Sequence, residues 1–182
     1  DVTNMKFVDN PDYLTATTYG SGIYNRRGNS GEYYFVVGSG ATDATGDPLN
    51  VGDFKFQLSL VGDPSEEAHN AIIPDTYYSS QIADPKHYYD MNKSAMWIRT
   101  EDGVERILFL DGIVDVKYDE GTYKLKAEMT SLDGLTVAVR YEGPMKFSVG
   151  QNATVDFNED QNVTFTGSTG RYWGNWYLPF AD

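Results

Sequence analysis

The chain has no cysteine, which excludes disulfide frameworks, thiolate metal sites and cysteine nucleophiles together. Histidine is almost as scarce. His69 and His87 are the only two, and neither stands in an H-x-E or HExxH spacing that would build a metal or acid–base site. Basic residues are few, 14 Lys plus Arg against 27 Asp plus Glu, and at a net charge of -13 nucleic acid is repelled rather than steered in. No apolar run approaches the roughly 18 residues that span a bilayer, so no transmembrane segment is expected. The opening DVTNMKFVDN lacks the basic and apolar regions of a signal peptide, and the chain reads as soluble and mature. Serine-hydrolase elbows, Walker loops and the G-x-G-x-x-G fingerprint are missing, so nucleotide binding has no support.

What is present points to β-structure. In 182 residues there are 14 Tyr and 18 Gly, a balance of strand formers and turn formers. Residues 32–38, EYYFVVG, lie between two polar glycine-rich loops. In residues 53–62, Phe54, Phe56, Leu58 and Leu60 alternate with Lys55, Gln57 and Ser59, which predicts one buried and one wet face. A strand is expected after Pro74, and residues 94–100 and 104–110 read as a hairpin around Glu-Asp-Gly. Residues 112–118, 122–130 and 135–143 form the clearest unit, an antiparallel meander with glycine in each turn. Tyr123, Leu125, Ala127 and Met129 alternate there with Lys124, Lys126 and Glu128, and a one-residue slip would bury three charges. The glycines at 20–22 and 38–40 read as turns, and only residues 63–71 suggest a helical turn.

The expected fold class is therefore all-β, a mainly antiparallel meander closing as a β-barrel or packing as a two-sheet β-sandwich, with little helix. The bulky inward set of residues 54–60 argues for a filled interior rather than a barrel around a lipophilic ligand. The texture changes after Gly143. A module of residues 1–147 is expected, then a connecting loop and an aromatic strand in residues 148–182, with the boundary near 148–162.

That last stretch echoes the first. TYGSGIYNRRGNSGEYYFVV near the start and TGSTGRYWGNWYLPF at the end share a glycine turn, an aromatic, a polar loop and an aromatic strand, with Tyr24 corresponding to Tyr172. Together with FKFQLSL, IIPDTYY and DGIVDVKYDEGTYKLKAEMTSLDGLTVAVRYEGPMKF, the pattern resembles the tandem β-modules of secreted or surface lipoproteins from Bacteroidetes. The resemblance covers residues 14–147, with 163–180 opening a second repeat or closing the first module as a strand. It implies an extracytoplasmic protein, at the outer-membrane surface or in the periplasm, with a lipid anchor upstream of Asp1. It also implies association with glycans or with other surface proteins.

Candidate chemistry follows from the acids and the aromatics. Asp102, Asp111, Asp119, Glu120 and Asp133 sit beside glycines and read as solvated turn residues, so no catalytic carboxylate is assigned and no enzyme activity is expected. The alternate oxygens of Asp156, Asn158 and Asp160 resemble a calcium loop, but Gln161 and Gly167 stand where an EF-hand needs glycine and glutamate. Only a looser calcium site remains, and no other cofactor is expected. The ligand-binding candidates are Tyr77, Tyr78, Tyr88, Tyr89, Trp97, Tyr172, Trp173 and Trp176. Neighbours in an extended strand face opposite ways, so one ring of each Tyr pair is expected outside, where flat rings suit sugar stacking or a protein partner. The expected function is a non-catalytic binding or adhesion module, with a structural spacer repeat or a polysaccharide hydrolase as the alternatives.

Overall fold

The computed structural model describes residues 7–9, 11–65, 74–79 and 87–149, and the backbone of 171–172 and 176–177. The chain divides into a unit of residues 1–152 and a smaller one of residues 153–182. The first unit is all-β. Its strands are β1 (Leu14–Ala16), β2 (Thr18–Arg27), β3 (Ser30–Gly38), β4 (Phe54–Gly62), β5 (Asp75–Ser79), β6 (Tyr88–Tyr89), β7 (Ala95–Thr100), β8 (Gly103–Asp119), β9 (Thr122–Ser131), β10 (Thr136–Gly143) and β11 (Ser148–Val149). One 3-10 turn, Met91–Lys93, is the only helical element among the described residues, and the Asp90 side chain caps it at Asn92 N. In the smaller unit β12 (Arg171–Tyr172) pairs with β13 (Trp176–Tyr177).

The strands of the first unit close into a barrel. The circuit runs β2, β3, β4, β7, β8, β9, β10 through antiparallel ladders and returns to β1 through a parallel pair that sets Leu14 against Val139. β5 and β6 bridge β8 to β4 beyond the reach of β7. Closure works because residues 14–27 are one extended run that leaves β10 and joins β3, with Thr17 N donating to Gly38 O at the crossing. A bulge between Tyr19 and Ser21 bends that run. The glycines at 20–22 thus lie inside a ten-residue strand rather than in a turn. Gly22 is there because Tyr19 and Phe147 pack against it, and an added Cβ would meet the Tyr19 hydroxyl and lie 2.8 Å from the Phe147 ring.

Inside, the alternating residues make a filled core. Phe35, Phe56, Leu58, Leu60, Phe109, Tyr123, Leu125 and Met129 are buried, and Phe56 meets Phe109 edge to face at 5.8 Å. Past β10, Met145 and Phe147 turn inward under the seam, where Phe147 packs edge-on against Tyr33 and Phe35. β11 then pairs with β2, so the ladder extends two residues beyond the expected boundary at 147.

Two further expectations change. Residues 104–110 and 112–118 are a single 17-residue strand, bulged between Phe109 and Asp111, because β9 pairs across the kink without a break. The outer faces of β4 and β9 are not wet throughout. Ser59 is sealed by the 90–94 turn, through Asp90 N to Ser59 O and Ser59 N to Ser94 Oγ. Glu128 is sealed by the segment before β1, accepting from Val8 N and Tyr13 Oη, each at 2.7 Å. Most of the proposed helical turn at 63–71 lies outside the described residues.

Candidate binding site on the outer face

A cleft of about 320 Å³, inside the size range of small-molecule sites, lies between β2, β3, β4 and the loop 40–53. Its hydroxyls come from four places in the chain: Thr18, Ser21, Ser39 and Thr42. Thr18 Oγ1 donates to Gly38 O, and Ser39 Oγ bridges Asp53 Oδ1 and Phe54 N. Ser21 and Thr42 hydroxyls have no hydrogen-bond partner among the described residues. Gly46 leaves the backbone open on the loop side, Gly38 lets the Phe54 carbonyl approach, and Val36 provides apolar floor. Lys55 is the only charged residue among the described residues of the lining, an inversion of the overall balance of 27 acids to 14 bases.

Lys55 ties the cleft to the loop 40–53. Its Nζ donates to Gly46 O and to Asp47 Oδ1, both at 3.0 Å, and lies 4.5 Å from the centre of the Trp97 ring. The loop itself is fixed by Asp43, whose Oδ1 accepts from Thr45 Oγ1, Thr45 N and Asp47 N. The Thr45 hydroxyl, followed by Asp47 N, holds the Asp43 carboxyl below the usual carboxylate range. Arg99 Nε donates to Pro48 O from the opposite side.

Trp97 is half-buried, and the ladder sets Lys55 and Arg106 directly across from it on β4 and β8. The Arg106 guanidinium lies 5.3 Å from the ring centre, so two cations flank one indole. Arg106 has no carboxylate partner among the described residues.

The tyrosines divide as alternation requires. Tyr77 and Tyr89 are buried in the core, where burial raises both phenols above their ordinary range. Tyr78 and Tyr88 face outward, half-buried, as register partners in the parallel β5–β6 pair. Neither lines the hydroxyl-bearing cleft. Tyr172 and Trp176 lie in the β12–β13 pair, also in register with each other, while Trp173 and the calcium candidates Asp156, Asn158 and Asp160 lie outside the described residues.

Sequence reading missed the hydroxyl cluster, the cations around Trp97 and the setting of His87. His87 Nδ1 meets Asp75 Oδ2, and Nε2 lies 3.2 Å from Asp63 Oδ2. The two carboxylates stand on opposite sides of the ring and cannot converge on one ion, and no group of three or more acids and histidines among the described residues is placed to hold a metal. The only available signal was the pairing of a mid-sequence histidine with two strand-end aspartates, which spacing alone does not reveal. No helix among the described residues is long and apolar enough to cross a membrane. No family model, curated protein or solved structure matches the chain.

Proposed function

We propose that the protein is a non-catalytic binding module that takes a glycan in the cleft between β2–β3–β4 and the loop 40–53. The observation that carries this reading is the unpaired Ser21 and Thr42 hydroxyls in a cleft with no carboxylate among its described lining residues, where Lys55, itself packed on the Trp97 ring, provides the charge. Hydroxyl donors and acceptors on a preformed wall match sugar hydroxyls, and Val36 in the same wall adds apolar contact. The anchored loop means that little ordering has to accompany binding. Placement at the outer-membrane surface or in the periplasm rests on the resemblance of the strand-and-turn pattern to Bacteroidetes surface lipoproteins.

The test is a titration of a polysaccharide panel followed by tryptophan fluorescence and calorimetry. A saturable response to one glycan is expected, lost in Trp97→Ala and weakened in Ser21→Val and Thr42→Val, with no new reducing ends released. Binding that survives all three substitutions would move the site elsewhere, and reducing-end release would overturn the non-catalytic part.

A further inference from the structure

The N-terminal half of β8 has a ladder on one side only. Gly103 to Leu108 pair with β7, whereas β9 meets β8 only from Phe109 onward. Leu132 N donates to Leu108 O, which shows that Leu108 directs its backbone away from β7. Ladder alternation then turns the N–H and C=O of Arg106 and Val104 the same way, into an edge without a strand among the described residues. Unpaired edges recruit strands unless something blocks them.

Beside this edge lies a groove of about 190 Å³ bordered by Ile107, Leu108, Leu132, Leu135 and Val137. Leu108, Leu132 and Leu135 are 39%, 57% and 65% exposed, an apolar surface larger than a scatter of single residues. Glu105 and Arg106 are exposed on opposite faces of the same edge, and neither has an ion-pair partner among the described residues.

A second copy of the chain is a poor occupant. Residues directly opposite in an antiparallel pair share a face, and the two-fold axis normal to the sheet keeps each face with itself. Odd positions therefore meet odd and even meet even. The two registers that pair most of this edge set Glu105 against Glu105 or Arg106 against Arg106, and like charges directly opposed destabilise the pair. A different chain has no such restriction.

We infer that the Gly103–Leu108 edge and its leucine groove dock an extended peptide from another protein. That peptide carries an acid opposite Arg106, a base opposite Glu105 and apolar residues around them. The backbone edge supplies the hydrogen bonds of strand addition and the groove takes the apolar side chains. This edge lies outside the hydroxyl-lined cleft but includes Arg106, which flanks Trp97; the peptide titration is run without glycan, so its outcome is read independently of glycan binding.

The probes are two labelled peptides of identical composition, acetyl-TVIEKVT-amide and acetyl-TVIKEVT-amide, titrated against the whole chain by fluorescence anisotropy. In antiparallel pairing the first sets its acid on Arg106 and its base on Glu105, and the second reverses both. Saturable binding of the first, about tenfold tighter than the second, is expected from two cross-strand pairs changing sign. The double variant Glu105→Arg/Arg106→Glu should invert the preference, and Leu135→Asp, at an exposed position, should weaken both peptides without loss of fold by circular dichroism. Equal affinities or absence of saturation would overturn the inference. So would a dimer, seen by sedimentation without peptide, that Leu135→Asp dissolves, because the occupant would then be a second copy.

Discussion

Glu128 shows how single residues decide which parts of this barrel are exposed. Its position on β9 faces away from the core, yet the segment before β1 lies over it and leaves it 6% exposed. A buried carboxylate is stable only with its acceptors filled, and Val8 N and Tyr13 Oη fill them. Tyr13→Phe removes one donor while keeping the ring, so it is expected to cost about 1–3 kcal/mol, read as a lower urea midpoint at unchanged slope. An unchanged midpoint would mean that water replaces the hydroxyl and that the strap is not held by this bond. The same phenol contributes to alkaline behaviour. Burial, with Glu128 adding to it, pushes Tyr13 up to about 12, and burial pushes Tyr19 to about 12. Burial also raises Tyr33, Tyr77 and Tyr89. Unfolded tyrosines release their protons near pH 10, whereas these keep them, so above that pH the unfolded state binds fewer protons. Their contribution to stability is complete below about pH 10 and is lost as pH rises towards 12. Denaturation midpoints measured from pH 8 to 12 should stay level and then fall over the last two units, more gently in Tyr13→Phe; a level profile throughout would contradict the buried phenols.

At the scale of elements, the seam between β2 and β11 depends on close approach. Gly22→Ala would place a Cβ 2.8 Å from the Phe147 ring and against the Tyr19 hydroxyl. Overpacking of this kind typically costs about 1–3 kcal/mol, and the companion Phe147→Leu should recover part of it by making room. No recovery in the double variant would place the strain in the backbone of β2 instead. This seam is also where sequence reading stopped. The residues that alternate within one strand, as in 54–60 and 123–129, declare their faces locally, and those strands were legible. Gly22 looks like part of a turn because one neighbour that requires glycine there, Phe147, is 125 positions away. The kinked strand β8 looked like two strands because Asp111-Gly112 is a turn signal unless β9 runs past it. Gly112 is needed because a Cβ there would lie 2.7 Å from Glu128 O. The site divides in the same way. That one tyrosine of each pair must face outward is a local rule, whereas Lys55, Trp97 and Arg106 become neighbours only through register across three strands. Thr18, Ser21, Ser39 and Thr42 fall in no motif, because they meet only through the β2–β3 ladder and the loop that follows it.

For the whole molecule, the order of assembly follows from which contacts close short loops. β8, β9 and β10 are joined by turns at 120–121 and 132–135, so their ladders form at small entropic cost. The barrel is completed only when β1 reaches β10, a contact that also joins Arg140 Nε to Thr15 Oγ1 across 125 positions. Such long-range pairing puts folding in the range of milliseconds to seconds and makes closure a late event. Leu125→Ala, in the centre of the meander and 1% exposed, should destabilise by about 2–5 kcal/mol and act mainly by slowing refolding. Ala16→Gly, at the closing strand, should cost about 0.5–1 kcal/mol and act mainly by speeding unfolding, because β1 is not yet docked in the transition state. Stopped-flow measurements in urea separate the two. If Ala16→Gly instead slowed refolding as much as it destabilised, the ends of the chain would meet early and the meander would condense around an already closed seam.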